Sequence, residues 1–237
     1  MKQIFRKDDA LILFTFGTTS NKKIAEPKEK VVQTFSFSRG QLQASLNSSG
    51  MGDFFSHDKP VCGDCPFAVN NGAKLTACYT HKFGQYRGFL SSLRAIARSY
   101  KSFDDIPELD ETMESIIVGQ SAGRYVRFGS YGEPTLIPID LVKRICNVAK
   151  SWTGYTHQWM RKPEYADYLM ASTHGAADTL MAETSGWRCF ASTHEAMDTM
   201  THCPASKESE FKSNCSRCGL CSGTKGKGKK SVNIILH

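Results

Sequence analysis

Trp152-Thr-Gly-Tyr-Thr-His-Gln-Trp159 is the stretch on which the fold turns. An aromatic and β-branched run of five residues ends in the polar step His157-Gln158, as a short strand does where it enters its following loop. The same rhythm returns twice downstream. Tyr168-Leu-Met-Ala-Ser172 leads into Thr173-His-Gly175 and a helix to Glu183, and Gly186-Trp-Arg-Cys-Phe-Ala191 leads into Ser192-Thr-His-Glu195. Upstream, Arg124-Tyr-Val-Arg-Phe128 alternates as a strand and ends in Gly129-Ser-Tyr-Gly-Glu-Pro134. Pro138 then opens a helix with Leu141, Val142, Ile145, Cys146 and Ala149 on its apolar face. Strands alternating with helices imply βα units on a parallel sheet. Four or more such units in one domain predict an α/β fold built as a full or partial (βα) barrel.

The rest of the chain is read around that centre. Leu11–Phe16 and Val31–Phe37 are strands joined by a polar, lysine-rich loop, and residues 38–59 lose apolar periodicity and read as loop. Phe89, Leu93, Ile96 and Ala97 recur at helical spacing between Gln85 and Tyr100. Met113–Val118 is a short apolar run, and Ser231–Leu236 is the expected closing strand. With 237 residues, 40% of them hydrophobic, one domain over 1–237 suffices. It divides into N-terminal strands and loop (1–60), βα units (61–200), and a C-terminal cysteine loop with closing strand (201–237). The apolar run from Ala10 to Phe16 is too short for a signal or membrane helix, so a cytoplasmic protein with no membrane partner is expected.

Nine cysteines in a reducing compartment point to metal sooner than to disulfides. Cys146 and Cys189 lie on predicted core faces, and the other seven form two groups. Cys215, Cys218 and Cys221 stand at C-x2-C-x2-C spacing, with Cys203 and Pro204 upstream. This pattern suits a [4Fe–4S] cluster, while zinc, which prefers paired knuckles, is the alternative. Cys62 and Cys65 form a C-x2-C turn followed by Cys78. With His81 they make a zinc knuckle, and without it three thiolates hold a cluster with one iron open, so one or two clusters are expected. Net charge +7 and the run Lys225, Lys227, Lys229 and Lys230 leave room for a zinc-stabilised nucleic-acid-binding module. A plain electron carrier with a redox partner is a further class.

If the strands are parallel, the loops after them gather at one edge, and there the chain places Glu133, His157, Gln158, Trp159, Ser172, His174, His194 and Glu195. His157 has Gln158 and Trp159 beside it as a hydrogen-bonding group and an aromatic wall. Ser192-x-x-Glu195 reads as a helix capping box.

The order of a three-cysteine loop, a helix, a strand and Gly132-Glu133-Pro134 resembles the radical S-adenosylmethionine enzymes. The resemblance implies that Cys62, Cys65 and Cys78 bind a [4Fe–4S] cluster whose open iron takes S-adenosylmethionine. Gly132 and Glu133 would hold the cofactor amine, Trp159 would line the cofactor, and Glu133, His157 and Gln158 would act on an unknown substrate. More closely, Cys62-Gly-Asp-Cys-Pro66, Val126-Arg-Phe-Gly-Ser-Tyr-Gly-Glu-Pro134, Thr153-Gly-Tyr-Thr-His-Gln-Trp159, Gly186-Trp-Arg-Cys-Phe190 and Cys203-Pro-Ala-Ser-Lys-Glu208 resemble an uncharacterised family of phage-encoded cysteine-rich proteins. That likeness runs from about Asn21 to the end. It implies a phage iron–sulfur protein acting in the bacterial host cytoplasm.

Overall fold

Three antiparallel strands open the chain: β1 (Lys2–Lys7), β2 (Ala10–Gly17) and β3 (Val31–Ser38). The computed structural model describes residues 2–47, 50–206, 209–210 and 213–236; Lys207 and Glu208, which end the Cys203–Glu208 stretch, lie outside them. β2 is buried along almost its whole length. Leu11, Ile12, Leu13 and Phe14 are all within 2% of full burial, so this strand is covered on both faces.

Residues 38–59, expected as loop, carry helices instead. Ser38 caps α1 (Arg39–Leu46) through a reciprocal pair with Gln41, its hydroxyl taking Gln41 N at 3.0 Å while Gln41 Oε1 takes Ser38 N at 3.1 Å. α2 (Met51–Ser56) and α3 (Lys59–Cys62) follow, and Phe54, Phe55 and Val61 enter the core at 0% exposure. The apolar residues are too sparse here to show a helical period, so tertiary burial stabilises these helices. α4 (Phe83–Ser99) occupies the predicted helical span, and the Met113–Val118 run lies within α5 (Glu111–Ser121), capped by Asp110 Oδ1 on Met113 N at 2.7 Å.

β4 (Tyr125–Tyr131) pairs parallel to β3. It is followed by α6 (Ile139–Val148), β5 (Ser151–Thr153) and β6 (Tyr155–Thr156). Then come β7 (Met170–Thr173), α7 (Ala176–Thr184), β8 (Cys189–Thr193), β9 (Thr201–His202), α8 (Cys215–Cys218) and β10 (Val232–Ile235). The described strands form two five-stranded sheets, ordered β1-β2-β3-β4-β5 and β6-β7-β8-β10-β9, the second entirely parallel. Gly154 is the only residue between β5 and β6, where the chain leaves one sheet for the other. A Cβ there would fall 2.5 Å from Leu169 Cδ2, so the crossing requires glycine. One cluster of buried apolar residues, from Phe5 to Met200, includes side chains of both sheets.

The fold is thus mixed α/β, and among the described residues no pairing closes a barrel. Ser231–Leu236 does not close anything: β10 inserts between β8 and β9. The β4 and β7 units have their expected helices, α6 and α7. After β6 the chain forms only a 3-10 turn at Pro163–Tyr165. After β8 no helix starts, and the Ser192-x-x-Glu195 capping box is not formed. Thr193 Oγ1 instead donates to Glu195 O at 2.6 Å in a turn.

Candidate metal centres

The first cysteine group hangs from α3. Gly63, at φ +55°, turns the chain after Cys62 so that Cys65 N donates back to Cys62 O at 3.1 Å. Asp58, fully buried, locks the far end of the loop to its start by accepting from Val69 N at 2.8 Å and Asn70 N at 3.1 Å. Asn71 completes the clamp, its Nδ2 donating to Gly63 O (2.8 Å) and Cys65 O (2.9 Å). Cys78 Sγ lies 3.0 Å from Thr80 Oγ1. Burial, then the negative potential of Asp58, Cys65 and Cys78, pushes the Cys62 thiol well above its ordinary range, which places these groups within electrostatic reach of one another.

The Gly132-Glu133-Pro134 loop docks on this turn. Glu133 N donates to Val61 O at 2.6 Å. Gly132, at φ +74°, leaves no space for a Cβ, which would meet Ser36 Cβ at 2.8 Å and Val61 O at 3.1 Å. The Glu133 side chain is buried and engaged. Oε2 accepts from Thr156 Oγ1 at 2.6 Å and Oε1 from His157 N at 2.8 Å, with His157 Nδ1 at 3.3 Å. His157 Nε2 lies 3.0 Å from His174 Nε2. Burial opposes a charge on His157, but the Cys65 thiol and the Glu133 carboxylate outweigh it and push the imidazole up to about 10. Burial, and then the charge on His157, hold His174 down to about 4. The pair therefore divides into an imidazolium donor and a neutral acceptor.

Of the other expected residues, Gln158 lies across the Cys62–Cys65 turn. A Cβ on Gly63 would fall 2.2 Å from Gln158 Nε2, and that Nε2 is buried without a hydrogen-bond partner. Trp159 is part of the main core at 6% exposure. His81, the fourth residue of the zinc knuckle, stacks on Phe55 at 3.9 Å between ring centroids and sets Nδ1 3.1 Å from Leu75 O. His194 and Glu195 sit in the turn after β8, apart from the Glu133–His157–His174 set.

The second group is gathered from three places. Cys215 N and Ser216 N, opening α8, donate to Lys23 O and Ile24 O, each at 2.9 Å, which ties the C-x2-C-x2-C segment to the loop between β2 and β3. Cys221 O accepts from Gly154 N at 3.1 Å at the junction of the sheets, and Cys203 N donates to Asn233 O at 2.9 Å on β10. Burial and the neighbouring Cys203 and Cys215 thiols push Cys221 far up. Burial also raises Cys215, against the opposing pull of the Arg127 guanidinium, and raises Cys203, which feels both Cys215 and Cys218. Tyr125 and Tyr155 stand beside them, with Tyr125 Oη 2.5 Å from Thr153 Oγ1.

All nine cysteines are free thiols. Among the described residues, no three His, Cys, Asp or Glu side chains converge as closely as a single bound ion requires. Sequence reasoning did not single out Asp58, Thr156, Tyr125, Tyr155 or Arg127. Their neighbours are distant in the chain, so local spacing carried no signal. No helix of the described chain is long and apolar enough to cross a membrane. Comparisons of the chain with protein-family models, with curated proteins and with solved structures found no match.

Proposed function

We propose that this chain is an iron–sulfur protein whose C-terminal cysteines, Cys203, Cys215, Cys218 and Cys221, bind one cluster, with Cys62, Cys65 and Cys78 serving a second. The observation that carries this reading is that the buried Cys221 and the half-buried Cys203, Cys215 and Cys218, held by separate anchors, lie within electrostatic reach of one another: Cys215 and Cys218 raise Cys203, Cys218 raises Cys215, and the other three raise Cys221. As neutral thiols these groups bury readily, and as thiolates they need a cation among the sulfurs to take the place of the protons. The donor set is all thiol, which suits soft iron or zinc. At the first group, the unpartnered Gln158 Nε2 over the Cys62–Cys65 turn supplies a donor suited to a cluster sulfide. When bound, such a cluster supplies one-electron chemistry.

Iron and acid-labile sulfide measured on anaerobically prepared protein test this. Cys218→Ala should remove about four irons per chain. Zinc without sulfide in the wild type, or unchanged iron in the variant, overturns the proposal.

A second reading adds S-adenosylmethionine at the three-cysteine centre, and the docking of Glu133 N on Val61 O, next to Cys62, favours it. It requires the carboxylate to release Thr156 or His157 to a cofactor amine. Calorimetry with S-adenosylmethionine on reconstituted protein decides it. Glu133→Gln should weaken binding by about 1.5–3 kcal/mol, the usual worth of a charged hydrogen bond. No binding to the wild type sinks this reading and leaves the clusters untouched.

A further inference from the structure

On one face of the first sheet lies a cleft of about 390 Å³ with no cysteine in its lining. Its floor is a row of residues paired across three strands: Thr15 on β2 opposite Gln33 on β3, and Gln33 opposite Arg127 on β4. Phe35, Phe37 and Phe89 form one wall. Phe35 and Phe37 are stacked with planes 3° apart, and Phe89 meets Phe37 edge-on at 5.3 Å. α4 roofs it at Gln85, Gly88 and Ser92, and Tyr79 stands at the rim.

Arg127 is the only charged residue among the described lining, and no carboxylate of the described chain pairs with it. Among the described residues its guanidinium donates from Nη2 to the half-exposed Tyr79 hydroxyl at 3.1 Å. Gln33 spends its carbonyl oxygen on Ser130 Oγ at 3.3 Å, which leaves its amide N–H groups as donors beside the guanidinium. A guanidinium fork and an amide donor next to a flat aromatic wall match a planar anion carried on an apolar body. One positive charge with no second cation matches a monoanion, and the volume falls within the range of small-molecule sites.

We infer that this cleft binds a small aromatic carboxylic acid, with Arg127 and Gln33 holding the carboxylate and Phe35, Phe37 and Phe89 the ring. Arg127 also lies within electrostatic reach of the Cys215 thiol, so metal content is measured and held constant across the proteins compared. The probes are phenylacetate, its neutral amide and phenyl phosphate, titrated into the full-length protein as purified and followed by ligand-observed and amide-shift NMR. Phenylacetate should bind at least ten-fold tighter than phenylacetamide and shift the Gln33, Arg127 and Phe89 amides. Arg127→Gln should abolish the preference for acid over amide, and Arg127→Lys should keep part of it. Gly88→Leu serves as a second variant, because a Cβ at Gly88 meets nothing within 4 Å; its side chain should fill the cleft and abolish binding while the helix stays intact. Equal binding of acid and amide, tighter binding of phenyl phosphate than of phenylacetate, or acid binding unchanged in Gly88→Leu overturns the assignment. So does the failure of every probe to shift those amides.

Discussion

The two cysteine groups differ most in what surrounds their sulfur. Around Cys62, Cys65 and Cys78 stand groups that gain and lose protons: Asp58, Glu133, His157 and, one step out, His174. Around Cys203, Cys215, Cys218 and Cys221 stand phenols, the Arg127 guanidinium and backbone anchors, with Cys221 itself buried. The first lies where β4, β6 and β7 end, the edge at which parallel sheets present ligands. The second lies at the junction of the sheets and ties three segments together. The difference teaches that thiols of similar number can serve unlike ends. On the proposed reading, the first set would serve exchange with a bound molecule and the second would hold the architecture together.

That contrast breaks most plainly if the C-terminal group is not the structural one. Replacing Cys215 and Cys221 together by Ala should cost more than about 4 kcal/mol, because metal affinity at a site assembled from separate segments is folding free energy. Cys65→Ala should lower the melting temperature far less. Calorimetric unfolding and metal analysis on both variants would show it, and a reversed order of stability would end the distinction.

Gly132→Ala sharpens the role of the Glu133 loop at the first group. The Cβ meets Ser36 and Val61 inside van der Waals distance and demands a left-handed residue at φ +74°. About 2–4 kcal/mol should be lost from overpacking and backbone strain together. Urea unfolding that shows less than about 1 kcal/mol would mean the loop is not clamped to the cysteine turn.

Glu133→Gln keeps the shape and removes the charge. The His157 imidazolium then loses its carboxylate and Thr156 its charged acceptor, so urea unfolding near neutral pH should register a loss of about 1.5–3 kcal/mol. A neutral result would mean that His157 is not charged beside Glu133.

The smallest effect belongs to the lysine run. Lys225 Nζ pairs with Asp167 Oδ2 at 2.8 Å and lies 5.6 Å from the Tyr168 ring centroid, but it is exposed. Lys225→Ala should change stability least of these variants, with any loss fading as salt is added, and leave metal content unchanged. Salt-dependent binding of a DNA or RNA oligomer that disappears in a variant of Lys225, Lys227, Lys229 and Lys230 would instead favour the nucleic-acid reading.

Local pattern sufficed wherever a segment's own period reflects its surroundings. The amphipathic spacing of Phe89, Leu93 and Ile96 matches α4, the alternation in Val31–Phe37 matches β3, and the run before His157 covers β5 and β6, which Gly154 divides between the two sheets. The cysteine spacing divided seven thiols into the two groups that the fold keeps apart. Helix α2 was illegible because burial of Phe54 and Phe55, not propensity, makes it helical, whereas α1 carried a local signal in its Ser38-x-x-Gln41 capping box that its sparse apolar residues did not reinforce. The place of β10 between β8 and β9, and the open ends of both sheets, were equally hidden, since strand order is set by partners far away in sequence. So too was the seating of Glu133. Sequence named the carboxylate, but only the close approach of Gly132 to Ser36 and Val61 turns it onto Thr156 and His157, and only cross-strand register sets Arg127 beside Gln33. Residue types and their spacing settle which chemistry a chain has available, and contacts between distant segments settle which atoms can reach one another.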